Sequence, residues 1–199
     1  MGLKFSIPYQ IPFYETDITH QVKLPHLLAF SLQVSAMQSE SLGNADDAVF
    51  DQYGLVWIVT DYAIEIDRLP RYNEKVTITT EAISYNKIFC YRNFYITDEA
   101  GQQIMLFKTT FALMDYETRK VAEVPDELVA PYEAEKTKKL LRGPRYKALE
   151  NPVETLYRVR YFDLDMNGHV NNSKYLEWML DVFDLDFLTK YTPAPIDLK

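Results

Sequence analysis

The sequence predicts an α+β protein in which an antiparallel sheet wraps a long helix, a unit built once in full and begun a second time. Three observations predict it. Strand-like stretches follow one another across residues 55–114 with turn residues between the later ones. The helical stretch before them is apolar on more than one stripe. The short polar segment preceding that helix recurs near the end of the chain.

The elements follow in order. An aromatic strand segment covers Phe13–Asp17. The first helix begins near Pro25, a residue suited to a first helical turn, carries Leu27, Phe30, Val34 and Met37 at helical spacing, and stops at Gly43. Strand signals come next: Leu55–Thr60 leading into 61–69, then Lys75–Ile83, Ile88–Thr97 and Gln103–Met114. Arg71–Glu74, Asp98–Gln102 and Asp115–Thr118 supply the turns, and Val76, Ile78, Thr80 and Ala82 mark one face by alternation. A helix apolar nearly all round needs cover on several sides, which a wrapping sheet provides. That arrangement is the hotdog fold.

Asp17-Ile-Thr-His-Gln-Val22 aligns without a gap with Asp165-Met-Asn-Gly-His-Val170, at an offset of 148 positions (165 minus 17). The second copy leads into a helix expected over 173–188, capped by Asn172 or Ser173 and carrying Tyr175, Leu176, Trp178, Met179, Val182, Phe183 and Phe187. Carried forward by the same offset, the strands at 55–114 would recur at about 203–262, beyond Lys199. The expectation is a tandem double hotdog with its second unit incomplete, a truncated chain whose second helix is exposed, packed on the first unit or completed by another molecule. Residues 1–135 form the first hotdog, 136–150 a basic linker, and 151–199 the start of the second.

The 199 residues, 47% hydrophobic and 14% aromatic, suffice for a packed core and lack the marks of disorder. No apolar run approaches the roughly 20 residues that span a bilayer, and Met1-Gly-Leu-Lys-Phe5 does not read as an export signal, so a soluble cytoplasmic protein with no membrane association is expected. Cys90 is the single cysteine, which excludes an internal disulfide and a cysteine zinc site; no metal or cofactor is expected. Cys90 reads as an ordinary half-buried strand residue. A net charge of −8 disfavours nucleic acid or an anionic membrane as partner. Against that background Lys136, Lys138, Lys139, Arg142, Arg145 and Lys147 cluster, either as a solvated linker or as a landing patch for an acidic partner.

The densest chemistry lies in Tyr161–Asn172. Asp165, Asn167 and His169 fall at every second position, so an extended backbone would turn all three to one face, whereas a helix would bring Asp165 and His169 together and turn Asn167 away. They supply a carboxylate that can fix an imidazole, an amide that can orient or polarise, and a proton-transfer group. Structural roles compete: Asp165 or Asn172 can be a cap, and a lone histidine before a helix can be inert. In the first copy the matching positions are Asp17, Thr19 and Gln21, without an imidazole; His20, one position off, reads as a surface or capping residue.

The run Asp163-Leu-Asp-Met-Asn-Gly-His-Val-Asn-Asn-Ser-Lys-Tyr-Leu-Glu-Trp178 resembles the signature of the acyl-ACP thioesterases, double-hotdog enzymes that hydrolyse fatty acyl thioesters of acyl carrier protein; the likeness extends over nearly the whole chain, including Phe13–Asp17 and the region around Trp57. The resemblance implies a bacterial-type enzyme, an acyl pocket in the first hotdog, and catalytic roles for Asp165, Asn167 and His169. It further implies an acidic partner from a strand beyond the second helix, past Lys199. On this reading His169 acts as general base on water or relays its proton, Asn167 positions water or carbonyl, Asp165 orients the site, and N–H groups near Ser173 form an oxyanion pocket. Asn171 and Asn172 either cap or support the site. The acyl tunnel is expected between the first helix and its sheet, with Leu27, Val34, Met37, Trp57 and Phe107 as candidates. Lys138, Lys139, Arg142 and Arg145 would face the carrier protein, and a homodimer is allowed. Competing readings are a non-catalytic acyl-thioester-binding hotdog module and an acyl-CoA thioesterase or dehydratase.

Overall fold

The computed structural model describes residues 2–141, 143, 147–148, 150–152, 154–165, 168–191 and 195–198. The first unit opens with strand β1 (Lys4–Gln10), a 3-10 turn at Phe13–Glu15 and helix α1 (Leu24–Ser41), followed by the short helix α2 (Asp46–Tyr53). Four long strands come next: β2 (Leu55–Ile66), β3 (Lys75–Tyr85), β4 (Phe89–Asp98) and β5 (Gln103–Asp115). The short β6 (Val121–Ala122), α3 (Asp126–Val129) and β7 (Glu135–Lys136) complete it, and β7 runs parallel to the end of β3.

All of these strands join one sheet, whose main path is β1-β3-β4-β5-β2 and ends on β8 (Ile196–Leu198) from the far end of the chain. β2 and β5 pair from Leu55 opposite Asp115 to Ile66 opposite Met105, with an irregularity between Val59 and Asp61. Helix α1 lies against one face, where Leu27, Leu28 and Val34 share a core with Ile64, Ile78, Phe94 and Phe107. Each of these seven side chains is at most 1% exposed. An apolar helix and the alternating inner faces of the strands thus bury each other, as the hotdog expectation requires.

The repeat extends to backbone detail at the same offset. A second 3-10 turn spans Tyr161–Asp163, the isolated bridge Thr16 to Val22 recurs as Leu164 to Val170, and α1 starting at Leu24 is matched by α4 (Asn172–Asp181). The Lys23 N–H donates to the Glu15 carbonyl at 2.7 Å, and the Asn171 N–H donates to the Asp163 carbonyl at 2.8 Å. Both acidic residues are buried, Glu15 accepting from the Tyr9 hydroxyl and Asp163 from the Arg160 backbone and guanidinium.

Two expectations about the second copy need correction. The helix over 173–188 is two helices, α4 and α5 (Leu185–Lys190), because Asp184 in extended conformation starts a new one by accepting from the Phe187 N–H at 2.7 Å. The cap of α4 is Asn171, whose carboxamide oxygen accepts from the Ser173 N–H at 3.0 Å. The counterpart of β1 differs too. Residues 154–158 form no strand, whereas β1 is paired along its length with β3. Helix α4 instead packs on the first unit through Leu176, 1% exposed, while Tyr175 and Val182 are 48% and 54% exposed where their counterparts Leu27 and Val34 are fully covered.

Candidate functional site

Asp165 and residues 168–170 face each other across a tight turn rather than lying along an extended strand, so the alternate-face argument fails for Asp165 and His169. The Asp165 N–H donates to the His169 carbonyl at 2.8 Å, the Gly168 N–H donates to the Asp165 carbonyl at 3.0 Å, and Gly168 sits at φ 75°. The Asp165 carboxylate closes the turn by accepting from the His169 backbone N–H at 3.0 Å. The physical reason is local: a glycine free to adopt positive φ, preceded by an aspartate able to accept from N–H groups ahead of it, favours a turn over a strand. The first copy adopts the same turn. Asp17 accepts from the Thr19 and Gln21 N–H groups, and His20 takes the positive-φ place at 63°, which explains why a histidine stands one position off there. Asp165 thus meets His169 through the histidine's backbone N–H. Asn167 lies outside the described residues.

The His169 side chain meets an unexpected neighbour. Arg119, from the turn between β5 and β6 with φ 57°, places Nη2 3.2 Å from His169 Nε2. A guanidinium can only donate, so this contact puts the ring proton on Nδ1. Sequence reasoning assigned 115–118 to a turn without seeing that the residue after it would reach the second copy.

This turn opens on a cavity of about 1150 Å³, lined from the second copy by Asp165, Gly168, His169, Val170 and Asn172. Tyr175, Trp178, Met179 and Val182 on α4 and beyond it add to that side, and the first unit supplies Trp57 on β2, Phe111 and Met114 on β5, Arg92 on β4, and the face of α1 that carries Leu32, Ser35, Ala36 and Ser39. Trp57 thus lies where it was expected. Val34 and Met37 do not line the cavity, and neither do Leu27 and Phe107. Val34 is fully buried in the core beside Leu27 and Phe107. Periodicity finds the buried stripes of an all-round apolar helix but not the stripe that faces a void. Asp46, at the start of α2, also lines the cavity, and burial first, then Asp47 and Asp165, pushes its carboxyl up.

Of the two asparagines, Asn172 lines the cavity whereas Asn171 is the α4 cap. The Ser173 N–H, expected to help an oxyanion, already donates to Asn171. Cys90 faces the cavity, but burial pushes its thiol up to about 12, so it is a neutral wall residue at physiological pH. Lys138 and Lys139 are exposed; the Lys139 carbonyl accepts from the Asn86 carboxamide at 3.1 Å, at the turn between β3 and β4. Arg142 and Arg145 lie outside the described residues. No cluster of metal-ligating side chains occurs among the described residues, and among them no helix is long and apolar enough to cross a membrane.

Comparisons with known proteins follow the same division. The family model described as acyl-ACP thioesterase N-terminal domain matches residues 2–132, and that described as acyl-ACP thioesterase C-terminal domain matches 146–199. An acyl-[acyl-carrier-protein] hydrolase of Cuphea viscosissima is 25% identical over 192 residues, which cover 90% of this chain and 47% of that protein. The chain spans about half the length of the curated relatives it matches. A Lactobacillus plantarum protein described as a putative oleoyl thioesterase is 36% identical, with a TM-score of 0.92 over 98% of this chain and 77% of that one. An acyl-ACP thioesterase of Bacteroides thetaiotaomicron aligns at a TM-score of 0.80 over 92% of this chain and 74% of that one, at 23% identity, a likeness of fold alone. With both family models matched and the paired turn-and-helix units in place, the chain belongs to the acyl-ACP thioesterase family.

Proposed function

We propose that the protein hydrolyses fatty acyl thioesters of acyl carrier protein to free fatty acid and the carrier's thiol. The observation that carries this is the position of His169: of the two matching turns, the one with an imidazole at this position, where the other has Gln21, opens on the large cavity that both units line. Water attacks the thioester carbonyl carbon while its proton passes to His169, and the carbonyl pair moves onto oxygen. Collapse of that oxyanion breaks the carbon–sulfur bond, and the departing thiolate takes the proton back. Asp165 holds His169 through the turn, Asn167 positions the water or the carbonyl, and the Asn172 carboxamide at the cavity wall can donate to the oxyanion. Arg119 keeps the imidazole in one tautomer until substrate enters.

On this reading residues 1–135 hold the acyl chain, 136–150 join the units, and 151–199 bring the reacting turn. Lys138, Lys139, Arg142 and Arg145 face the acidic surface of the carrier. The test is thiol release by the intact protein from matched panels of acyl-ACP and acyl-CoA. Release from acyl-ACP, weakened by Lys138→Glu with Lys139→Glu, is expected. Tight acyl-ACP binding without thiol release would make the protein an acyl-binding module, and a preference for CoA indifferent to those two changes would make it an acyl-CoA thioesterase.

A further inference from the structure

The cavity is not uniformly apolar. Ala82 on β3, Arg92 on β4, Thr109 on β5 and Tyr62 on β2 stand opposite one another in successive pairs and so share one face of the sheet. Arg92 and Tyr62 both line the cavity, two strand spacings apart, about 10 Å. Two polar side chains thus border the floor on which an alkyl chain would lie, with Thr109 between them on the same sheet face but outside the cavity lining.

Their hydrogen bonding is incomplete. Arg92, 9% exposed, uses Nη1 on Gln38 Oε1 at 2.6 Å and on Thr80 Oγ1 at 2.8 Å. Its Nη2 and Nε donate to no described residue, and no described carboxylate lies within 4.0 Å of it. Burial lowers its affinity for the proton to about 10, which still leaves a cation at neutral pH. The Tyr62 hydroxyl and Thr109 Oγ1, on residues 4% and 3% exposed, have no hydrogen-bond partner among the described residues. A purely hydrocarbon ligand would leave the Arg92 N–H groups and the Tyr62 hydroxyl unsatisfied, at the cost of burying unpaired polar atoms.

We propose that the cavity takes acyl chains bearing an oxygen function along their length, a hydroxyl or oxo group that accepts from Arg92 and pairs with the Tyr62 hydroxyl. This rests on the cavity being the acyl site. It selects by the unpaired-group rule: a site with buried donors rejects the analogue that cannot satisfy them more strongly than an apolar site rejects a misfit. A hydrogen bond to a charged group corresponds to about 10- to 100-fold in affinity.

The experiment is calorimetric titration of the intact protein with dodecanoate and with the positional series of hydroxydodecanoates and oxododecanoates. At least one oxygenated isomer is expected to bind about 10-fold or more tightly than dodecanoate. That advantage is expected to vanish in Arg92→Met and shrink in Tyr62→Phe, while dodecanoate binds Arg92→Met at least as well as wild type. Tyr62→Phe removes only an unpartnered oxygen, so it keeps the test valid if Arg92→Met fails to fold. No preference for any oxygenated isomer, or a preference unchanged in Tyr62→Phe and in any folded Arg92→Met, overturns the inference and leaves the acyl-site reading standing. Failure of dodecanoate and every isomer to bind overturns both.

Discussion

Asp17 and Asp165 hold matching turns by the same backbone bond, yet only the second carries an imidazole four residues after the aspartate, at His169, where the first has Gln21. Removing either carboxylate frees N–H groups of a partly exposed turn, at about 1 kcal/mol each. Asp17→Ala and Asp165→Ala are therefore expected to lower the urea midpoint alike, while only Asp165→Ala lowers thiol release, by about 10²-fold through loss of His169 positioning. Equal effects of the two on turnover would remove the assignment of Asp165 as a positioning residue. Asp165, Asn167 and His169 stand out in the sequence because their types and spacing are informative together, whereas the turn that Gly168 permits does not. Arg119, Tyr62 and Thr109 do not stand out, since their significance lies in what stands opposite them: Arg119 meets a residue 50 positions away, and Tyr62 and Thr109 meet no partner among the described residues.

Helix α4 is anchored by one buried apolar side chain and one buried charge. Leu176→Ala opens a cavity against the first unit and is expected to cost about 2–5 kcal/mol, whereas Met179→Ala, at a position 45% exposed, is expected to cost well under that in urea titrations. Asp163 accepts from Arg160 and lies near Lys174, and the Arg160 hydrogen bonds hold its carboxyl below the usual range. A folded pKa depressed in this way stabilises the fold above the unfolded value of about 4, and the contribution is lost as pH falls below it. The wild-type urea midpoint is expected to drop more steeply below pH of about 4 than that of Asp163→Asn. The start of α4 was misread because Asn171, Asn172 and Ser173 are all capping types; the repeat offset, placing Lys23 before α1 opposite Asn171, identifies the first. The break at Asp184 was hidden because one aspartate among apolar residues also fits a helix surface.

At the scale of the whole molecule, the wrapped helix and meander were legible from alternation and all-round apolarity, and the duplication from six aligned residues. What sequence could not give is which face of α1 borders empty space, so Trp57 was found while Val34 and Met37 were misplaced into the cavity wall. Nor could it give β8, whose Ile196 and Leu198 extend the first unit's sheet beside Ile64 and Tyr62 and so tie the chain's end to the strand that borders the site. On the proposed mechanism one turn reacts over a cavity that both units line. Single-turnover thiol release from acyl-ACP by the intact protein tests it most directly, comparing His169→Ala with Gln21→Ala, the same position in the first turn. A loss of about 10²-fold or more in His169→Ala with Gln21→Ala unchanged is the result expected; full turnover in His169→Ala contradicts it.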